Sequence, residues 1–363
     1  MTIGSTPTSN GPANAPPADP PRKAGSTNRL NLELKAYKGA ESTLCSGCGH
    51  DAITSAIIKA FFEYGIEPHN VAKMSGIGCS SKTTAYFLNR SHGFNGVHGR
   101  MAAMTVGSSM ANRKLVNIGV SGDGDTASIG LGNFLHMVRR NTPILYIIEN
   151  NGCYGLTKGQ FSATADKGSV KKGGGVVNQM PPIDNCALAI EMGCGYVARS
   201  FSGDPKQVVA LLKGALAHGG TAVLDIVSPC VTFNNHEGST KSYPYAKAHE
   251  DPLHEIGFVP FFEEVRVDYD PGTTTVVKLH DESLITLKKI GHDYDPSNRS
   301  QALDVLHKAS VAQEFLTGLV YLEQSTPPMD EQMNLVEEPL ATLPESRIRP
   351  PASALAEILE QFR

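Results

Sequence analysis

Four cysteines in this chain have the spacing and the setting of metal ligands. Cys45 and Cys48 form a C-x-x-C pair before a stretch of helical periodicity, while Cys79 and Cys230 each follow a strand-like run. A C-x-x-C pair alone is compatible with zinc, with dithiol redox chemistry or with an iron–sulfur cluster. Because no second C-x-x-C follows, the spacing of a zinc ribbon is missing. One close pair and two separate cysteines at strand ends are what a [4Fe–4S] site at a sheet edge would need.

A carboxylate and an amide form a second candidate site. Asp123 lies in a G-D-G tripeptide after one apolar run, and Asn151 belongs to an Asn-Asn pair after the next. Carboxylate and amide oxygens, with backbone carbonyls exposed by a glycine-rich turn, suit an octahedral Mg²⁺ that keeps positions open for phosphate oxygens. The tripeptide by itself is also typical of a simple turn with an Asp cap. The paired asparagines one strand later favour the magnesium interpretation.

A βαβ unit has to bring these side chains together. Residues 115–120 and 144–148 are short apolar runs, and apolar residues recur between them at helical spacing. Two parallel neighbouring strands end at the same edge of a sheet, so Asp123 and Asn151 are expected to converge. Strand and helix patterns alternate further along the chain as well. This alternation predicts an α/β fold with a doubly wound parallel sheet.

Composition and charge exclude several classes of protein. The chain has 363 residues and a net charge of only −4, so there is no electrostatic argument for a nucleic-acid or anionic membrane partner. No apolar run approaches the ~18 residues of a membrane span, and no signal-peptide pattern follows Met1. A soluble, cytoplasmic protein is therefore predicted. An odd number of cysteines, seven, without an export signal argues against a disulfide framework.

Taken together, the motifs resemble a known family. G-D-G followed at this distance by N-N is similar to the metal and diphosphate motif of thiamine diphosphate enzymes. Residues 150–160, N-N-G-C-Y-G-L-T-K-G-Q, resemble more narrowly the β subunits of 2-oxoacid:ferredoxin oxidoreductases, as do C-x-x-C-G-H, I-G-C-S and S-P-C around the four cysteines. The resemblance covers roughly residues 45–244. The chain departs from the family motif K-G-Q-x-S-P-T at Ala163, a change that concerns the rigidity of the loop that follows.

The resemblance implies a role for each motif. Asp123, the Asn151 side chain and the Cys153 carbonyl would bind Mg²⁺. Cys45, Cys48, Cys79 and Cys230 would hold a [4Fe–4S] cluster, with the remaining cysteines as packing residues. The residues expected beside thiamine diphosphate are Ile77, Gly78, Cys79, Ser80, His98, Gly124, Asp125, Gly155 and Leu156. Lys82 is expected to neutralise the substrate carboxylate, with a purely solvated lysine as the alternative.

The function implied by the resemblance is that of the β subunit of a 2-oxoacid:ferredoxin oxidoreductase. Such a subunit carries out thiamine-dependent oxidative decarboxylation of a 2-oxoacid to an acyl-CoA and passes single electrons through the cluster to ferredoxin. The pattern favours 2-oxoglutarate over pyruvate. No carboxylate in a motif of this chain matches the one that faces the aminopyrimidine ring. An α subunit, in an αβ or α₂β₂ complex, is expected to supply it, so this chain alone is expected not to turn over.

Three other classes are compatible with parts of the pattern. A cluster-free thiamine diphosphate-dependent decarboxylase or synthase subunit would share the metal motif but would have no use for four thiolates. A zinc-stapled structural subunit would use the cysteines without catalysis. A nicotinamide dehydrogenase would need G-x-G-x-x-G at the first βα turn and an acidic residue ~20 residues further on, and no stretch of the sequence meets that description.

Composition divides the chain into three parts. Residues 1–28 are rich in Pro, Ser, Asn and Gly and are predicted to form a disordered tail. Residues 29–240 are predicted to be the thiamine diphosphate and iron–sulfur binding domain. Residues 241–363 are predicted to be a small C-terminal α+β extension that contacts a partner subunit, with a β-hairpin of residues 265–269 and 274–280 and helices over 301–316 and 352–362.

Overall fold

An eight-stranded sheet with helices on both faces lies at the centre of this computed structural model, which describes residues 27–170, 175–234, 239–252, 254–255, 274–278, 284–289 and 294–363. The strands in chain order are β1 (Val71–Ser75), β2 (His92–Asn95), β3 (Val116–Gly122), β4 (Ile144–Asn150), β5 (Cys153–Tyr154), β6 (Gln160–Phe161), β7 (Tyr196–Phe201), β8 (Thr221–Val227), β9 (Glu250–Pro252), β10 (His254–Glu255), β11 (Thr274–Lys278), β12 (Leu284–Lys289) and β13 (Phe315–Leu322).

The order of strands across the main sheet is β2-β1-β3-β4-β8-β7-β13-β9. The first six strands run parallel, whereas β13 is antiparallel to β7 and β9 is parallel to β13. The predicted α/β fold with a doubly wound, mostly parallel sheet is confirmed. In this order β4 has β3 on one side and β8 on the other, so the segments that follow these three strands leave the sheet at the same edge.

Helices cover both faces of the sheet. They are α1 (Gly49–Tyr64), α2 (Cys79–Thr83), α3 (Met101–Ala111), α4 (Leu131–Arg139), α5 (Asn185–Glu191), α6 (Pro205–His218), α7 (Tyr243–His249), α8 (Arg299–Ala312), α9 (Met329–Gln332), α10 (Glu345–Ile348) and α11 (Ala352–Glu360). Short 3₁₀ turns occur at Leu34–Tyr37, Pro68–Asn70 and Leu340–Thr342. Within the described ranges, none of these helices is both long and apolar enough to cross a membrane.

The central strand β4 shows why the sheet is buried on both faces. Leu145 and Ile147 pack into the apolar cluster that contains α1 and α6, while Tyr146 and Ile148 pack into the opposite cluster with α3, α4, α5 and α8. All seven residues of β4 are buried. A strand covered on both faces needs a continuous apolar run instead of alternation, as the sequence of β4 has.

Helix α1 carries the C-x-x-C pair at its amino end. The helix begins at Gly49, directly after Cys48, and buries Ile53, Ile57 and Phe61 at i, i+4 spacing. It ends at Gly65, whose φ of 71° gives the left-handed cap that favours glycine. Packing of this helix on the sheet therefore holds the cysteine pair above the edge where the parallel strands end.

The C-terminal region contributes directly to the main sheet. The helix predicted over residues 301–316 ends at Ala312, because Gln313 adopts a left-handed conformation and the chain turns into β13. Gly318 of β13 pairs with Arg199 of β7. Residues 274–278 of the predicted hairpin pair with β12. Residues 265–269 of the hairpin lie outside the described residues, as do residues 1–26 of the predicted tail. The division of the chain at residue 240 stays a prediction.

Candidate functional site

The segments after β1, β2, β3 and β4 surround one cavity at the edge of the sheet. Nine residues were expected beside a cofactor from the sequence, and all nine line this cavity: Ile77, Gly78, Cys79, Ser80, His98, Gly124, Asp125, Gly155 and Leu156. Asp123, Asn151 and Cys153 line it as well. Residues from four separate parts of the chain thus meet in one place, because the strands that carry them end at the same sheet edge.

Asp123 and Asn151 lie next to each other in this cavity. The Asp123 Oδ1 atom accepts a hydrogen bond from the backbone N–H of Asn151 at 3.3 Å, and Asn151 Oδ1 accepts one from the N–H of Cys153 at 3.1 Å. Both side chains are buried. Burial raises the pKa of the Asp123 carboxyl, while hydrogen bonds donated by Ser162 and Thr164 act in the opposite direction. A cation at this point would favour the ionised carboxylate.

Asp125 organises the loops around the cavity. Its Oδ1 atom accepts hydrogen bonds from the N–H of Gly99 at 2.6 Å and from His98 Nδ1, and its Oδ2 atom accepts one from Ser121 Oγ at 2.7 Å. A Cβ atom at Gly76 would lie 1.9 Å from Asp125 Oδ2, so only glycine fits there. The carboxylate oxygens of Asp125 are therefore occupied by the protein, and the residue holds the loops after β1 and before α3 together.

The helix after Asp123 begins with a π-helical turn. Residues Gly124–Ile129 form this turn, with a hydrogen bond from the Gly130 N–H to the Asp125 carbonyl at 2.9 Å, and α4 follows it. The sequence predicted a loop at Asp123 and helical spacing from Ile129 onward. A Cβ atom at Gly130 would lie 2.6 Å from that carbonyl oxygen, so this widened turn requires glycine. Single π turns inside helices often occur at functional sites, and this one turns the backbone of Gly124 and Asp125 toward the cavity.

The structure also brings the four predicted cluster ligands together. A Cβ atom at Gly155 would lie 3.5 Å from Cys79 Sγ and 3.6 Å from Cys230 Sγ, so these two sulfur atoms flank the turn after β5. The pKa of the Cys48 thiol is raised to about 12, mainly by burial and to a smaller extent by the charges of Glu149, Cys230 and Cys79. Thr232 Oγ1 lies 3.8 Å from Cys45 Sγ. All four thiols therefore surround the start of α1 and the turn at Gly155.

The arrangement of the thiols differs from that of a single-ion site. Among the residues that the structure describes, no group of three or more Cys, His, Asp or Glu side chains is placed to hold one metal ion. Ligands of a zinc ion converge on one point. Each thiolate of a [4Fe–4S] cluster binds a different iron, so its four ligands surround a volume.

Comparison with known proteins gives the family. Residues 76–226 match the model of the thiamine pyrophosphate enzyme C-terminal TPP-binding domain. A β subunit of 2-oxoacid:ferredoxin oxidoreductase from Sulfolobus sp. is 40% identical over 56% of this chain and 66% of its own length. The corresponding subunit of Saccharolobus solfataricus is 39% identical over 57% of this chain and 68% of its own length. The chain belongs to the family of 2-oxoacid:ferredoxin oxidoreductase β subunits.

A solved structure extends the similarity to most of the chain. The 2-oxoglutarate:ferredoxin oxidoreductase from Magnetococcus marinus, determined with 2-oxoglutarate, coenzyme A and succinyl-CoA bound, superposes with a TM-score of 0.70 at 28% identity. The superposition covers 91% of this chain and 96% of that one. In sequence, by contrast, the match spans slightly less than two thirds of the Sulfolobus subunit. The fold of this oxidoreductase β subunit is thus similar well beyond the segment in which its sequence aligns.

Two of the seven cysteines interact in this oxidoreductase β subunit. A hydrogen bond from the Cys153 thiol lowers the pKa of Cys230 to about 6, against the effect of burial and with the help of backbone N–H groups that include that of Phe233. Cys230 is partly exposed, whereas Cys153 is buried. This lowering of the pKa favours the thiolate form of Cys230, which is the form that binds a metal.

One predicted residue lies outside the cavity. Lys82 follows Cys79 by one turn of α2, and its side chain is exposed. The cavity lining does not include it. The predicted contact of Lys82 with a substrate carboxylate therefore depends on a substrate that extends beyond the cavity toward α2.

Glu149, His50 and Tyr154 are among the cavity residues that were missed in the sequence. Glu149 is fully buried, neither of its carboxylate oxygens has a hydrogen-bond partner among the described residues, and His50 Nδ1 lies 3.5 Å away. Burial raises the pKa of Glu149 well above its usual value and lowers that of His50 to about 4. Tyr154 donates a hydrogen bond to the Gly124 carbonyl at 3.1 Å. A glutamate at the end of the otherwise apolar run ILYIIEN was the available signal for the first of these.

Proposed function

We propose that this chain is the β subunit of an oxidoreductase that decarboxylates 2-oxoglutarate with thiamine diphosphate and passes single electrons through a [4Fe–4S] cluster to ferredoxin. The observation that carries the proposal is the position of Gly155. A Cβ atom at Gly155 would lie 3.5 Å from Cys79 Sγ and 3.6 Å from Cys230 Sγ, and Gly155 follows Asn151 by only four residues. An oxygen site for a metal and a sulfur site for a redox centre are therefore joined by one short segment.

The oxygen site fits magnesium and a diphosphate group. Asp123, the Asn151 side chain and the Cys153 carbonyl provide hard oxygen donors, which Mg²⁺ prefers. The backbone at Gly124 and Gly155 lines the open side of the cavity, where close approach of phosphate oxygens requires residues without a side chain. The chain would thus hold the diphosphate end of the cofactor.

The sulfur site fits an iron–sulfur cluster. Cys45, Cys48, Cys79 and Cys230 are unpaired thiols, and each is at least partly accessible. The other three cysteines are buried, which suits packing residues. When bound, thiamine diphosphate supplies a carbanion nucleophile and an electron sink, and the cluster accepts the electrons one at a time. The protein's part is to hold both groups close to each other and to exclude water from the buried side.

Partner chains complete the proposed enzyme. We propose that an α subunit, in an αβ or α₂β₂ complex, supplies the carboxylate that faces the aminopyrimidine ring. Coenzyme A and ferredoxin are the proposed acyl and electron acceptors, as in the family, and the cytoplasm is the proposed location. The M. marinus relative with 2-oxoglutarate bound supports 2-oxoglutarate as the substrate. A pyruvate-specific member of the family and a non-redox decarboxylase are the alternatives.

Turnover with and without the partner subunit tests this function. We expect the chain purified alone to show no 2-oxoacid decarboxylation, and the complex from the native host to reduce ferredoxin in a reaction that requires coenzyme A. The kcat/KM of the complex for 2-oxoglutarate should exceed that for pyruvate by at least about tenfold. Activity of the isolated chain would contradict the role of the partner. Faster turnover of pyruvate would support the first alternative, and decarboxylation without electron transfer would support the second.

The proposed role of Lys82 has its own test. If Lys82 neutralises the distal or reacting carboxylate of the substrate, the Lys82→Ala complex should show a KM for 2-oxoglutarate raised by about tenfold with little change in kcat. Lys114, which is also exposed but lies two residues before β3, provides the matched control Lys114→Ala. An unchanged KM in Lys82→Ala, measured beside that control, would remove the proposed contact.

A further inference from the structure

We propose that Thr164 is a positioning residue for the magnesium site, and that a buried chain of polar side chains behind it sets the orientation of Asp123. This inference rests on the proposed function, because it concerns the carboxylate that would bind Mg²⁺. Thr164 Oγ1 lies 2.7 Å from Asp123 Oδ2 and 2.9 Å from Asn150 Oδ1. Thr164 is only 1% exposed. Its hydroxyl therefore has two oxygens that can only accept, those of Asp123 and Asn150, the Ser162 hydroxyl as a third neighbour at 3.1 Å, and no access to solvent.

The orientation of the Asn150 amide is determined from behind. Asn150 Nδ2 donates a hydrogen bond to Asp225 Oδ1 at 2.9 Å. The opposite orientation would place the amide oxygen against a carboxylate, which is unfavourable because both groups are acceptors. Asn150 therefore presents its oxygen to Thr164 and can only accept there. Asp225 is itself held by Arg199, at 3.5 Å, and Arg199 also pairs with Asp184 at 2.6 Å.

Thr164 has a single hydroxyl proton for its two acceptors. A hydrogen bond to a charged oxygen is stronger than one to a neutral oxygen. The Thr164 hydroxyl therefore donates its hydrogen bond to the ionised Asp123 carboxylate when no cation competes. A cation that withdraws electron density from Asp123 makes that oxygen a weaker acceptor. The hydroxyl can then rotate toward Asn150 Oδ1 without leaving a buried group unpaired, which would otherwise cost about 1–3 kcal/mol. Thr164 thus keeps the Asp123 side chain ordered before the metal binds. Loss of this hydrogen bond after the metal has bound costs little free energy.

Ser162 cannot replace Thr164 in this arrangement. Ser162 Oγ donates to the same Asp123 Oδ2 atom and accepts a hydrogen bond from the backbone N–H of Thr164 at 3.3 Å. Within the described part of the chain, Ser162 makes no hydrogen bond to the Asn150 amide, whereas Thr164 contacts both Asp123 and Asn150. Among the residues that the structure describes, only the Thr164 hydroxyl therefore connects the Asp123 carboxylate to the Asp225 and Arg199 pair.

The test is a calorimetric titration of Mg²⁺ into the full chain at a fixed concentration of thiamine diphosphate. We expect Thr164→Val, which removes the hydroxyl and keeps the shape, to raise the Kd for Mg²⁺ by about 10- to 100-fold, the usual range for an outer contact of a metal ligand. Thr164→Ser should restore the Kd to within about threefold. The matched control is Thr105→Val, because Thr105 is fully buried but its hydroxyl bonds only to the Met101 carbonyl of its own helix.

A second readout separates positioning from general stability. Mg²⁺ demands near-ideal octahedral geometry, whereas Ca²⁺ accepts irregular geometry. A loosened Asp123 should therefore weaken Mg²⁺ binding more than Ca²⁺ binding, so the preference for Mg²⁺ should fall in Thr164→Val and stay unchanged in Thr105→Val. If Thr164→Val does not fold, as judged by its thermal transition, Thr164→Ala carries the same test with a smaller side chain.

The outcomes distinguish this inference from the proposed function. If Asp123→Asn binds Mg²⁺ as tightly as the native chain, the metal site itself is wrong. If Asp123→Asn loses binding while the folded Thr164 variants keep both the native Kd and the native metal preference, the metal site stands and the role of Thr164 is overturned.

Discussion

Replacement of Asp123 by Asn is expected to weaken the Mg²⁺-dependent binding of thiamine diphosphate by more than about 100-fold, which is beyond the usual effect of losing an outer contact. The substitution keeps the shape of the side chain and removes its charge. Asp123 is 1% exposed, so no solvent can replace the lost carboxylate oxygen. Calorimetric titration of thiamine diphosphate with and without Mg²⁺ measures the effect.

The matched control for this experiment is Asp330→Asn. Asp330 is also buried, but it lies in α9, away from the cavity, and pairs with Arg113 at 2.9 Å. We expect this control to lower stability and to leave cofactor binding intact. Native affinity in a folded Asp123→Asn protein would contradict the proposed metal site, whatever the activity of the complex.

The second large effect is expected from Cys79→Ser. An intact cluster contributes about four iron atoms per chain. The variant should contain far fewer and should lose the broad absorbance near 400 nm. Electron transfer to ferredoxin should then stop, because the remaining three thiols leave one iron without its ligand. Thiamine diphosphate should still bind, since the oxygen donors of Asp123 and Asn151 are unchanged.

Cys153→Ser is the matched control for the cluster. Cys153 interacts with Cys230 but is itself buried and is expected to contribute only a backbone oxygen to the metal site. This variant should keep its iron. Iron lost in Cys153→Ser but kept in Cys79→Ser would show that the ligands are assigned wrongly. Zinc in place of iron in the native protein would support the structural-subunit alternative instead.

Much of the oxygen site could be predicted from local sequence. The apolar runs around residues 115–120 and 144–148 and the helical spacing between them indicate a βαβ unit, and in such a unit both strands end at one edge. The observed proximity of Asp123 and Asn151 follows from this rule. The end of α1 before Gly65 follows from a different local signal, the glycine that takes a left-handed cap. These features depend on residues that are near one another in the chain.

The grouping of the sulfur atoms could not be derived in the same way. Cys79 follows β1 and Cys230 follows β8. These strands are separated by β3 and β4 in the sheet, and their carboxyl ends lie at the same edge, where the two sulfur atoms approach Gly155. Strand order depends on how the whole chain packs. Without the family resemblance, the spacing of these two cysteines alone is equally compatible with ordinary buried thiols.

By itself, the sequence determined the class of fold, the βαβ unit that carries Asp123 and Asn151, and the helix behind the C-x-x-C pair. These features are predictable because periodicity and turn residues act over a few neighbouring positions. Only the tertiary structure decided that β13 enters the main sheet, that Glu149 is buried without a hydrogen-bond partner among the described residues and that Thr164 returns to contact Asp123. The last contact joins residues 41 positions apart. The physical reason is that such contacts are selected by the free energy of the complete packing arrangement and leave no repeating pattern in the segments that make them.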